Sequence, residues 1–495
     1  MSWVARLRAR WTEPGRPAVG FVGDWSEQPL SPGPDQTYRQ LGQSIDRART
    51  WLRQRSLGRG DTLALQMPRH PAMLELALAA MSEGLTVLPL NRAYTARELR
   101  FALEDSGASR AVLLSERFTE LGDTAPCPVE PAAVLPTALR MATPCTEPPP
   151  QLPLETPAML LYTSGTTGRP KGALSSHGNL LAAIEGLHEA WRWTAEDVQL
   201  HCLPLFHVHG LVVAQFVALW AGAQTLWLPR FDADAVWGAI EAHQVSVFMG
   251  VPTFHHRLLQ SQVQADLSSM RLFTSGSAPL PAAVHRAFEQ RTGLRILERY
   301  GMSEVGIVLS NPYDGERRAG TVGFPLPHAQ AKVTDLESGQ ELGPDQVGEI
   351  RIHGPSVMLG YLGLPEQTQA AIGDGWMHTG DLGSVSADGY FTIVGRAGDM
   401  VITGGLNVYP REVETILLEH PGVSEVAIVG VPHPDWGEQV VGVFVGDAEP
   451  SALVDFCRAE LAAFKCPKEL RRVDALPRNA MGKVQKAVIR AGWNG

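Results

Sequence analysis

Residues 162–172, Tyr-Thr-Ser-Gly-Thr-Thr-Gly-Arg-Pro-Lys-Gly, form the stretch around which the fold is organised. Hydroxyl side chains, glycines and a lysine alternate in it, at Thr163, Ser164, Gly165, Thr166, Thr167, Gly168, Lys171 and Gly172. The apolar run at residues 158–162 predicts a buried strand that leads into this loop. Glycine lets backbone N–H groups approach a ligand closely, while hydroxyls and a lysine add hydrogen bonds and charge. The stretch therefore predicts a loop that binds a polyphosphate.

The loop differs from the Walker type, because its spacing is not G-x-x-x-x-G-K-[ST]. The alternative interpretation is a surface turn, which the ending Pro170-Lys171-Gly172 would also suit. A surface turn does not require this many hydroxyl side chains, so the sequence favours phosphate binding.

Length and composition narrow the class of protein. A chain of 495 residues is too long for one ordinary core, so two to four structural units are expected. The fractions of hydrophobic residues (44%) and charged residues (19%) are those of a globular protein. A net charge of -10 disfavours nucleic acids and anionic membranes as partners. The longer apolar stretches, such as residues 72–81, are too short to span a bilayer, so no membrane insertion is expected.

The cysteines and the start of the chain predict a cytoplasmic protein. None of the five cysteines forms a C-x-x-C pair, which favours a reducing compartment. The first twelve residues include Arg6, Arg8 and Arg10 but no long apolar core of a secretory signal. A mitochondrial transit peptide is the alternative, and Glu13 with the following Pro-Gly weakens it.

Strands and helices alternate on both sides of the loop. In the first part, strands are predicted at residues 61–67, 86–90 and 109–115, and helices at residues 71–81 and 95–105, the latter opened by a Thr95–Glu98 capping box. In the second part, strands are predicted at residues 223–228, 246–250, 272–274 and 294–300, and helices at residues 179–191, 211–220 and 281–291. This alternation predicts two parallel, doubly wound sheets, whose ligands bind at the carboxyl ends of the strands. The proline-rich residues 126–157 are predicted to be a surface connector.

The last third of the chain has a different pattern. From about residue 321, short strands alternate with glycine turns, which predicts a small β-rich subdomain. Residues 412–464 then predict a compact α+β unit that is large enough to be a separate domain. The predicted fold class is thus α/β, with a large N-terminal domain of two doubly wound βα sheets and a β-rich subdomain, followed by a small α+β domain.

Five stretches in this order resemble the ordered motifs of the adenylate-forming superfamily, which includes acyl-CoA synthetases, peptide-synthetase adenylation domains and firefly luciferase. They are residues 162–172, 299–304, 378–381, 395–396 and 477–483. The resemblance covers nearly the whole chain, and the shared order makes it more specific than one motif. It implies that a carboxylate attacks the α-phosphate of ATP to give an acyl-adenylate and pyrophosphate. The thiol of coenzyme A then displaces AMP.

The resemblance also implies roles for individual residues. The loop from Thr163 to Lys171 would hold the β- and γ-phosphates, Glu304 would bind Mg²⁺, and Ser303 would bond near the α-phosphate. The adenine would stack on Tyr300, beside Gly276, Ser277, Ala278, Gly301 and Met302, while Asp381 and Arg396 would hold the ribose. Lys483 would contact the α-phosphate and the reacting carboxylate. Each residue has a simpler alternative: Glu304 a helix-start charge, Asp381 a turn residue, Lys483 a solvated lysine and Tyr300 a core residue.

A hinge near residues 396–399 is implied between a domain of residues 1–395 and a mobile domain of residues 396–495. Rotation about it would remove Lys483 and bring Gly404 and Gly405 to the pantetheine. The sequence departs from the family here, because Gly398 stands where Asp or Lys is usual. Glycine absorbs backbone rotation easily, so the movement is expected to be retained.

Residues 203–211 and 310–327 are similar to malonyl-CoA synthetases. A dicarboxylate needs a cation in the acid pocket, for which Arg299 is the first candidate and His209 and Ser277 are weaker ones. His207 resembles the family's residue at the pocket mouth, near the reacting carboxylate. A metal site at His207 and His209 is the less favoured alternative, because no third ligand stands at matching spacing.

The acid and the acceptor remain open at this point. The aliphatic residues 305–309 depart from the malonate pattern and leave methylmalonate or a monocarboxylate, a short- or medium-chain fatty acid, as alternatives. The acceptor is coenzyme A or the carrier protein of a stand-alone adenylation enzyme. A silent scaffold on this fold is disfavoured by the joint presence of Lys171, Glu304, Asp381, Arg396 and Lys483. The sequence leaves monomer and homodimer open.

Overall fold

The computed structural model describes residues 2–28, 30, 35–163, 170–478 and 484–493. Its strands are β1 (Pro17–Phe21), β2 (Gln36–Thr37), β3 (Thr62–Leu65), β4 (Thr86–Pro89), β5 (Arg110–Leu113), β6 (Val129–Pro131), β7 (Pro157–Thr163), β8 (Lys171–Ser176), β9 (Val198–His201), β10 (Gln224–Trp227), β11 (Val247–Gly250), β12 (Leu272–Ser275), β13 (Leu297–Met302), β14 (Gly306–Ser310), β15 (Phe324–Pro325), β16 (Gln330–Thr334), β17 (Gly348–His353), β18 (Gly360–Tyr361), β19 (Met377–Val385), β20 (Phe391–Arg396), β21 (Val401–Thr403), β22 (Leu406–Val408), β23 (Val423–His433), β24 (Gly437–Gly446) and β25 (Glu469–Arg472).

The helices lie between these strands. They are α1 (Trp3–Ala9), α2 (Tyr38–Arg53), α3 (Pro71–Glu83), α4 (Ala96–Asp105), α5 (Ser115–Leu121), α6 (Leu135–Met141), α7 (His177–Ala190), α8 (Val217–Ala221), α9 (Ala233–His243), α10 (Pro252–Gln260), α11 (Ala282–Thr292), α12 (Pro365–Ile372), α13 (Pro410–Leu417), α14 (Pro450–Glu460) and α15 (Lys486–Trp493). Residues 122–124 and 397–399 form 3₁₀ turns, and residues 209–216 form a π-helix. Among the described residues, no helix is both long and apolar enough to cross a membrane.

The first sheet has seven strands in the order β18-β8-β7-β4-β3-β5-β6. Its centre is parallel, as predicted: β3 pairs with β4 and β5, and β4 pairs with β7. Helix α3 is buried along its whole length, which explains its apolar sequence, and the Thr95–Glu98 capping box opens α4. The strand that enters the phosphate-loop candidate is β7. It forms an antiparallel hairpin with β8, in which Thr163 pairs with Lys171.

The second sheet has nine strands in the order β15-β14-β13-β12-β11-β9-β10-β1-β2. Its centre is parallel, and its ends are antiparallel. The chain turns back between β13 and β14, where Met302 pairs with Gly306 and residues 303–305 form the turn. A side chain at Gly301 would place its Cβ 2.0 Å from the carbonyl oxygen of Gly306. Glycine at this position therefore permits the tight hairpin that presents Ser303 and Glu304.

Two sequence predictions need correction. Residues 126–157 are not only a connector, because they contain α6 and also β6, which pairs in parallel with β5. Three-residue β6 is too short for a recognisable pattern and ends in a proline, Pro131, while Pro136 lies in the first turn of α6, where proline is tolerated. The apolar helix predicted at residues 211–220 begins as the π-helix and continues as α8. Such irregular turns are frequent at functional sites.

The remaining strands form two smaller sheets. One has four antiparallel strands in the order β16-β17-β19-β20, which confirms the β-rich region. The other has β22-β21-β24-β23 with β25 beside β24, and α13 and α14 cover it. Leu453 and Cys457 of α14 are buried in the core of this C-terminal part, as the helical pattern predicted.

Gly210, in the first turn of the π-helix, packs closely against the preceding loop, and a substitution there tests whether this contact requires glycine. An added Cβ would lie 2.0 Å from the carbonyl oxygen of Pro204. Gly210→Ala is expected to lower the free energy of unfolding by about 1–3 kcal/mol through overpacking. Gly238→Ala in α9 is the control, because its Cβ would meet no atom within 4 Å. The control should gain about 0.5–1 kcal/mol. Urea unfolding followed by tryptophan fluorescence measures both, and equal shifts for the two variants would contradict the packing argument.

Candidate active site

Two hairpins meet at the carboxyl ends of the two large sheets. The Oγ1 atom of Thr163, at the end of β7, lies 3.4 Å from Oε1 of Glu304 in the β13–β14 turn. Lys171 lies opposite Thr163 across the β7–β8 hairpin. The structure thus brings both ends of the phosphate-loop candidate beside the candidate metal ligand. The predicted residues Ser164, Gly165, Thr166, Thr167, Gly168 and Lys483 lie outside the described residues.

Glu304 is a buried carboxylate at this meeting point, with 5% of its surface exposed. Oε1 accepts a hydrogen bond from the hydroxyl of Tyr361 at 3.1 Å. Burial raises the pKa of Glu304 above its usual range. The ammonium of Lys171 lies 5.2 Å from the ring centre of Tyr361, which places a cation near the carboxylate.

These residues suit Mg²⁺ that is bound mainly by phosphate oxygens. Mg²⁺ usually takes one or two carboxylates from the protein and keeps phosphates and waters as its other ligands. Among the described residues, no group of three or more His, Cys, Asp or Glu side chains could form a complete protein cage. The single buried carboxylate of Glu304 fits a Mg²⁺ ion whose other ligands are phosphate oxygens and waters.

Asp381 is the centre of a second polar cluster. Its Oδ2 accepts a 2.6 Å hydrogen bond from the hydroxyl of Tyr300, and its Oδ1 lies 2.8 Å from Nε of Arg396. The ion pair follows from strand register, because Asp381 of β19 lies directly opposite Arg396 of β20. Asp381 raises the pKa of Arg396, and burial with the nearby carboxylate raises the pKa of Tyr300. A fixed carboxylate beside an aromatic ring can accept two sugar hydroxyls while a base stacks on the ring.

Arg299 is the centre of a third cluster. It is 3% exposed, and its Nε and Nη2 have no hydrogen-bond partner among the described residues. Burial lowers the pKa of Arg299 to about 9, so the guanidinium is still charged at neutral pH. Gly276 makes room for it, because a Cβ there would lie 2.4 Å from Cζ of Arg299.

His209 and Ser277 complete the third cluster. Nδ1 of His209 lies 3.1 Å from Oγ of Ser277, and Nε2 has no partner among the described residues. Burial and the charge of Arg299 hold the pKa of His209 well below its usual range, so its ring is neutral. Ser277 has a φ of 67°, a strained conformation of the kind found at binding sites. Arg299 is therefore a buried cation beside neutral hydrogen-bonding groups.

Most of the other predicted residues lie close to these clusters. His207 is half-buried, and its Nδ1 accepts the backbone N–H of His209 at 3.1 Å, which fixes the ring. Met302 and Ser303 are half-buried at the hairpin tip, and Ala278 is exposed on the loop that follows β12. Gly404 and Gly405 form the turn between β21 and β22, where the N–H of Gly404 donates to the carbonyl of Trp436. That turn belongs to the C-terminal sheet.

Sequence reasoning missed Tyr361, which binds Glu304. It lies in β18, a strand of only two residues that pairs with β8 at the edge of the first sheet. Nothing in the spacing between residues 304 and 361 indicates that they meet. Glu298 was also missed; it is buried next to Arg299 and reads in the sequence as an ordinary strand residue.

Comparisons with known proteins agree with this geometry. The model of the AMP-binding enzyme family matches residues 9–362, and that of the AMP-binding enzyme C-terminal domain matches residues 412–483. The mitochondrial malonate–CoA ligase of Mus musculus is 38% identical over 452 residues, covering 82% of this chain and 77% of that protein. A sulfoacetate–CoA ligase of Cupriavidus necator is 37% identical over 489 residues, covering 94% and 95%.

A similar solved structure is that of MatB from Rhodopseudomonas palustris with ATP bound. It has a TM-score of 0.93 and 39% sequence identity and covers 100% of this chain and 99% of that chain. The apo form of the same protein has the same coverage and identity but a TM-score of 0.83. The whole chain therefore superposes more closely on the ATP-bound form than on the apo form.

The hydrogen bond between Tyr300 and Asp381 gives a direct test of the second cluster. Tyr300→Phe keeps the ring but removes the donor that orients Asp381. The apparent Kd for ATP, measured by calorimetric titration, is expected to rise about tenfold, since a hydrogen bond to a charged group contributes about 1.5–3 kcal/mol. Tyr390→Phe is the control, because the hydroxyl of Tyr390 donates at 2.9 Å to the carbonyl of Glu316, outside the three clusters. An unchanged Kd in the Tyr300 variant would mean that the hydrogen bond from Tyr300 to Asp381 does not contribute to nucleotide binding.

Proposed function

Because the chain belongs to the family of AMP-binding enzymes, we propose that it is an ATP-dependent ligase that joins malonate to coenzyme A. The reaction runs through an acyl-adenylate, with release of pyrophosphate and then of AMP. The observation that carries the choice of acid is Arg299, a buried cation for which the described residues provide no anionic partner.

A buried guanidinium without an anion is costly, and a ligand carboxylate would offset that cost. The planar fork of arginine matches a carboxylate with two parallel hydrogen bonds, and the two atoms without partners, Nε and Nη2, provide such a pair. Ser277 and neutral His209 would add further hydrogen bonds. A monocarboxylic acid would leave the guanidinium uncompensated, whereas the second carboxylate of malonate would pair with it.

The first half-reaction needs the reacting carboxylate and the phosphates held in line. In this proposal the loop from Thr163 to Lys171 holds the β- and γ-phosphates, and Ser303 bonds near the α-phosphate. Glu304 holds Mg²⁺, which supplies positive charge to the phosphates when bound. His207 borders the reacting carboxylate, and Lys483 contacts it together with the α-phosphate. Catalysis here is mainly positioning and electrostatic stabilisation, since negative charge gathers at the phosphorus.

The nucleoside part of ATP would occupy the second cluster. Tyr300 stacks on the adenine, the loop of Gly276, Ser277 and Ala278 lies along its edge, and Gly301 and Met302 complete that wall. Asp381 accepts the ribose hydroxyls, and its ion pair with Arg396 holds the carboxylate in place. One strand would position both ligands, because Arg299 and Tyr300 are adjacent in β13 and point to opposite sides of it.

The second half-reaction would follow rotation of residues 396–495 relative to residues 1–395 about residues 396–399. This movement withdraws Lys483 and brings the turn of Gly404 and Gly405 towards the pantetheine of coenzyme A. We also infer a cytoplasmic location, which the five free cysteines support.

A second candidate acid carries a different terminal anion. The Cupriavidus necator relative acts on sulfoacetate, and a sulfonate would also accept hydrogen bonds from Arg299. Malonate is favoured because a carboxylate matches the bidentate guanidinium and because the mouse relative acts on malonate over a similar identity.

The acid is tested by ATP–pyrophosphate exchange with malonate, methylmalonate, sulfoacetate, acetate and octanoate, followed by detection of the CoA thioester. Malonate is expected to give the highest kcat/KM. Arg299→Met should lower that value about 100-fold, because one or two charged hydrogen bonds are lost. The kcat/KM for acetate should remain nearly unchanged. Arg295→Met is the control, since Arg295 is half-exposed and pairs with Glu289 at the surface. A preference for acetate or octanoate that survives Arg299→Met would exclude the dicarboxylate proposal.

Lys483 is tested by separating the two half-reactions. Lys483→Ala is expected to reduce malonate-dependent exchange at least about 100-fold, because the developing phosphate charge loses its cation. Thioester formation from supplied malonyl-adenylate and coenzyme A should be retained. Arg458→Ala, which removes an exposed cation of α14, is the control. Equal losses in both half-reactions would contradict the role given to Lys483.

A further inference from the structure

Arg411, a cation at the start of α13, contacts a strand that carries part of the candidate site. Nη1 of Arg411 donates to the carbonyl of Ile393 in β20 at 2.5 Å. Burial lowers the pKa of Arg411, and the negative charges of Glu298, Glu414 and Asp381 oppose that shift. Two of these three carboxylates belong to the N-terminal part of the chain: Glu298 lies on β13, which also carries Arg299 and Tyr300, and Asp381 lies on β19.

Glu298 is the carboxylate whose charge acts most strongly on Arg411. It is 2% exposed; Oε1 accepts the N–H of Leu280 at 2.8 Å, and Oε2 has no hydrogen-bond partner among the described residues. Burial raises the pKa of Glu298 to about 7, and Arg411 is the main group that opposes the shift. Because Glu298 precedes Arg299 in β13, its side chain lies on the side of the strand opposite the acid cluster. It also anchors the loop from Gly276 to Leu280.

Within the C-terminal part, Glu414 of α13 has partners other than Arg411. Glu414, its neighbour one turn along α13, already accepts the N–H of Ile428 at 2.8 Å and pairs with Lys486 at 2.8 Å. The carbonyl that Arg411 contacts, of Ile393, and two of the carboxylates whose charge acts on it, Glu298 and Asp381, lie in the N-terminal part. Its cost of burial is therefore offset by groups across the proposed domain boundary.

We propose that Arg411 is a positioning residue that holds α13 against β13 and β20 in the arrangement used for adenylate formation. This inference rests on the proposed function, because it assumes two half-reactions with two domain arrangements. It agrees with the closer match of this chain to the ATP-bound than to the apo form of the Rhodopseudomonas palustris protein. The ion pair of Arg490 with Asp399, at 2.8 Å, also links the C-terminal part to the hinge segment. Both of its side chains are about one-third exposed, so water and salt weaken it.

The kinetic test compares the half-reactions in Arg411→Met and Arg411→Lys, with Arg458→Met as the control of equal charge change. Arg411→Met is expected to slow malonate-dependent exchange about tenfold and to leave thioester formation from supplied malonyl-adenylate unchanged or faster. Arg411→Lys should restore part of the exchange, because it keeps the charge. An equal loss in both half-reactions would reduce Arg411 to a general structural role and overturn the proposal.

Glu298→Gln then tests whether the two residues act together. Glutamine keeps an oxygen that can accept the N–H of Leu280 but removes the negative charge. The double variant with Arg411→Met is expected to show no larger exchange defect than Arg411→Met alone. Defects that multiply would mean that Arg411 and Glu298 act separately, and would overturn their pairing.

A distance measurement tests the inference without any catalytic readout. Spin labels at Met141→Cys and Ser451→Cys, in a Cys145→Ser background, mark exposed positions of the N-terminal part and of α14. Arg411→Met is expected to broaden or shift the distance distribution, while Arg458→Met leaves it unchanged. If the native protein exchanges none of the acids, the proposed function fails, and the label distances alone decide the role of Arg411. An unchanged distribution in Arg411→Met overturns the inference.

Discussion

The active site is built around the cost of keeping a guanidinium in the protein interior. Arg299 carries its charge where water is excluded, and no carboxylate among the described residues neutralises it. Gly276 keeps its backbone close to the guanidinium, and Ser277 accepts an unfavourable backbone conformation beside it. Its charge also disfavours a proton on His209, which leaves a neutral ring in the pocket. The fold thus maintains an unpaired cation, which is a reason to expect an anionic ligand rather than a purely apolar one.

One strand, β13, and the turn that follows it contribute side chains to each part of the candidate site. Successive side chains of a strand point to opposite faces, so Arg299 lies in the third cluster while Glu298 and Tyr300 lie on the other side. The hairpin that follows presents Glu304 to the phosphate loop. The residues proposed to contact the acid, the adenine and the metal, Arg299, Tyr300 and Glu304, therefore come from six consecutive residues, 299–304. Their relative positions are set by strand geometry and a tight turn rather than by long loops, which suits a reaction that depends on alignment.

Much of this arrangement could be predicted from the sequence, and the exceptions have physical causes. The parallel centres of both sheets, the Thr95 cap and the meeting of Thr163 with Glu304 follow from patterns that act over short distances or from ordered motifs. The π-helix did not, because its residues have the same apolar character as those of a buried α-helix. Tyr361 and Glu298 escaped notice because their importance comes from tertiary contacts alone.

The ion pair between Arg396 and Asp381 has a mechanical consequence. Arg396 is the last residue of β20, and the 3₁₀ turn of residues 397–399 begins immediately after it. The carboxylate proposed to hold the ribose would therefore also hold one side of the proposed hinge. Rotation would then be confined to the few residues after Arg396, and a small backbone change there would be amplified over the length of the C-terminal part. A nucleotide bound to Asp381 would in turn change how firmly this side of the hinge is held.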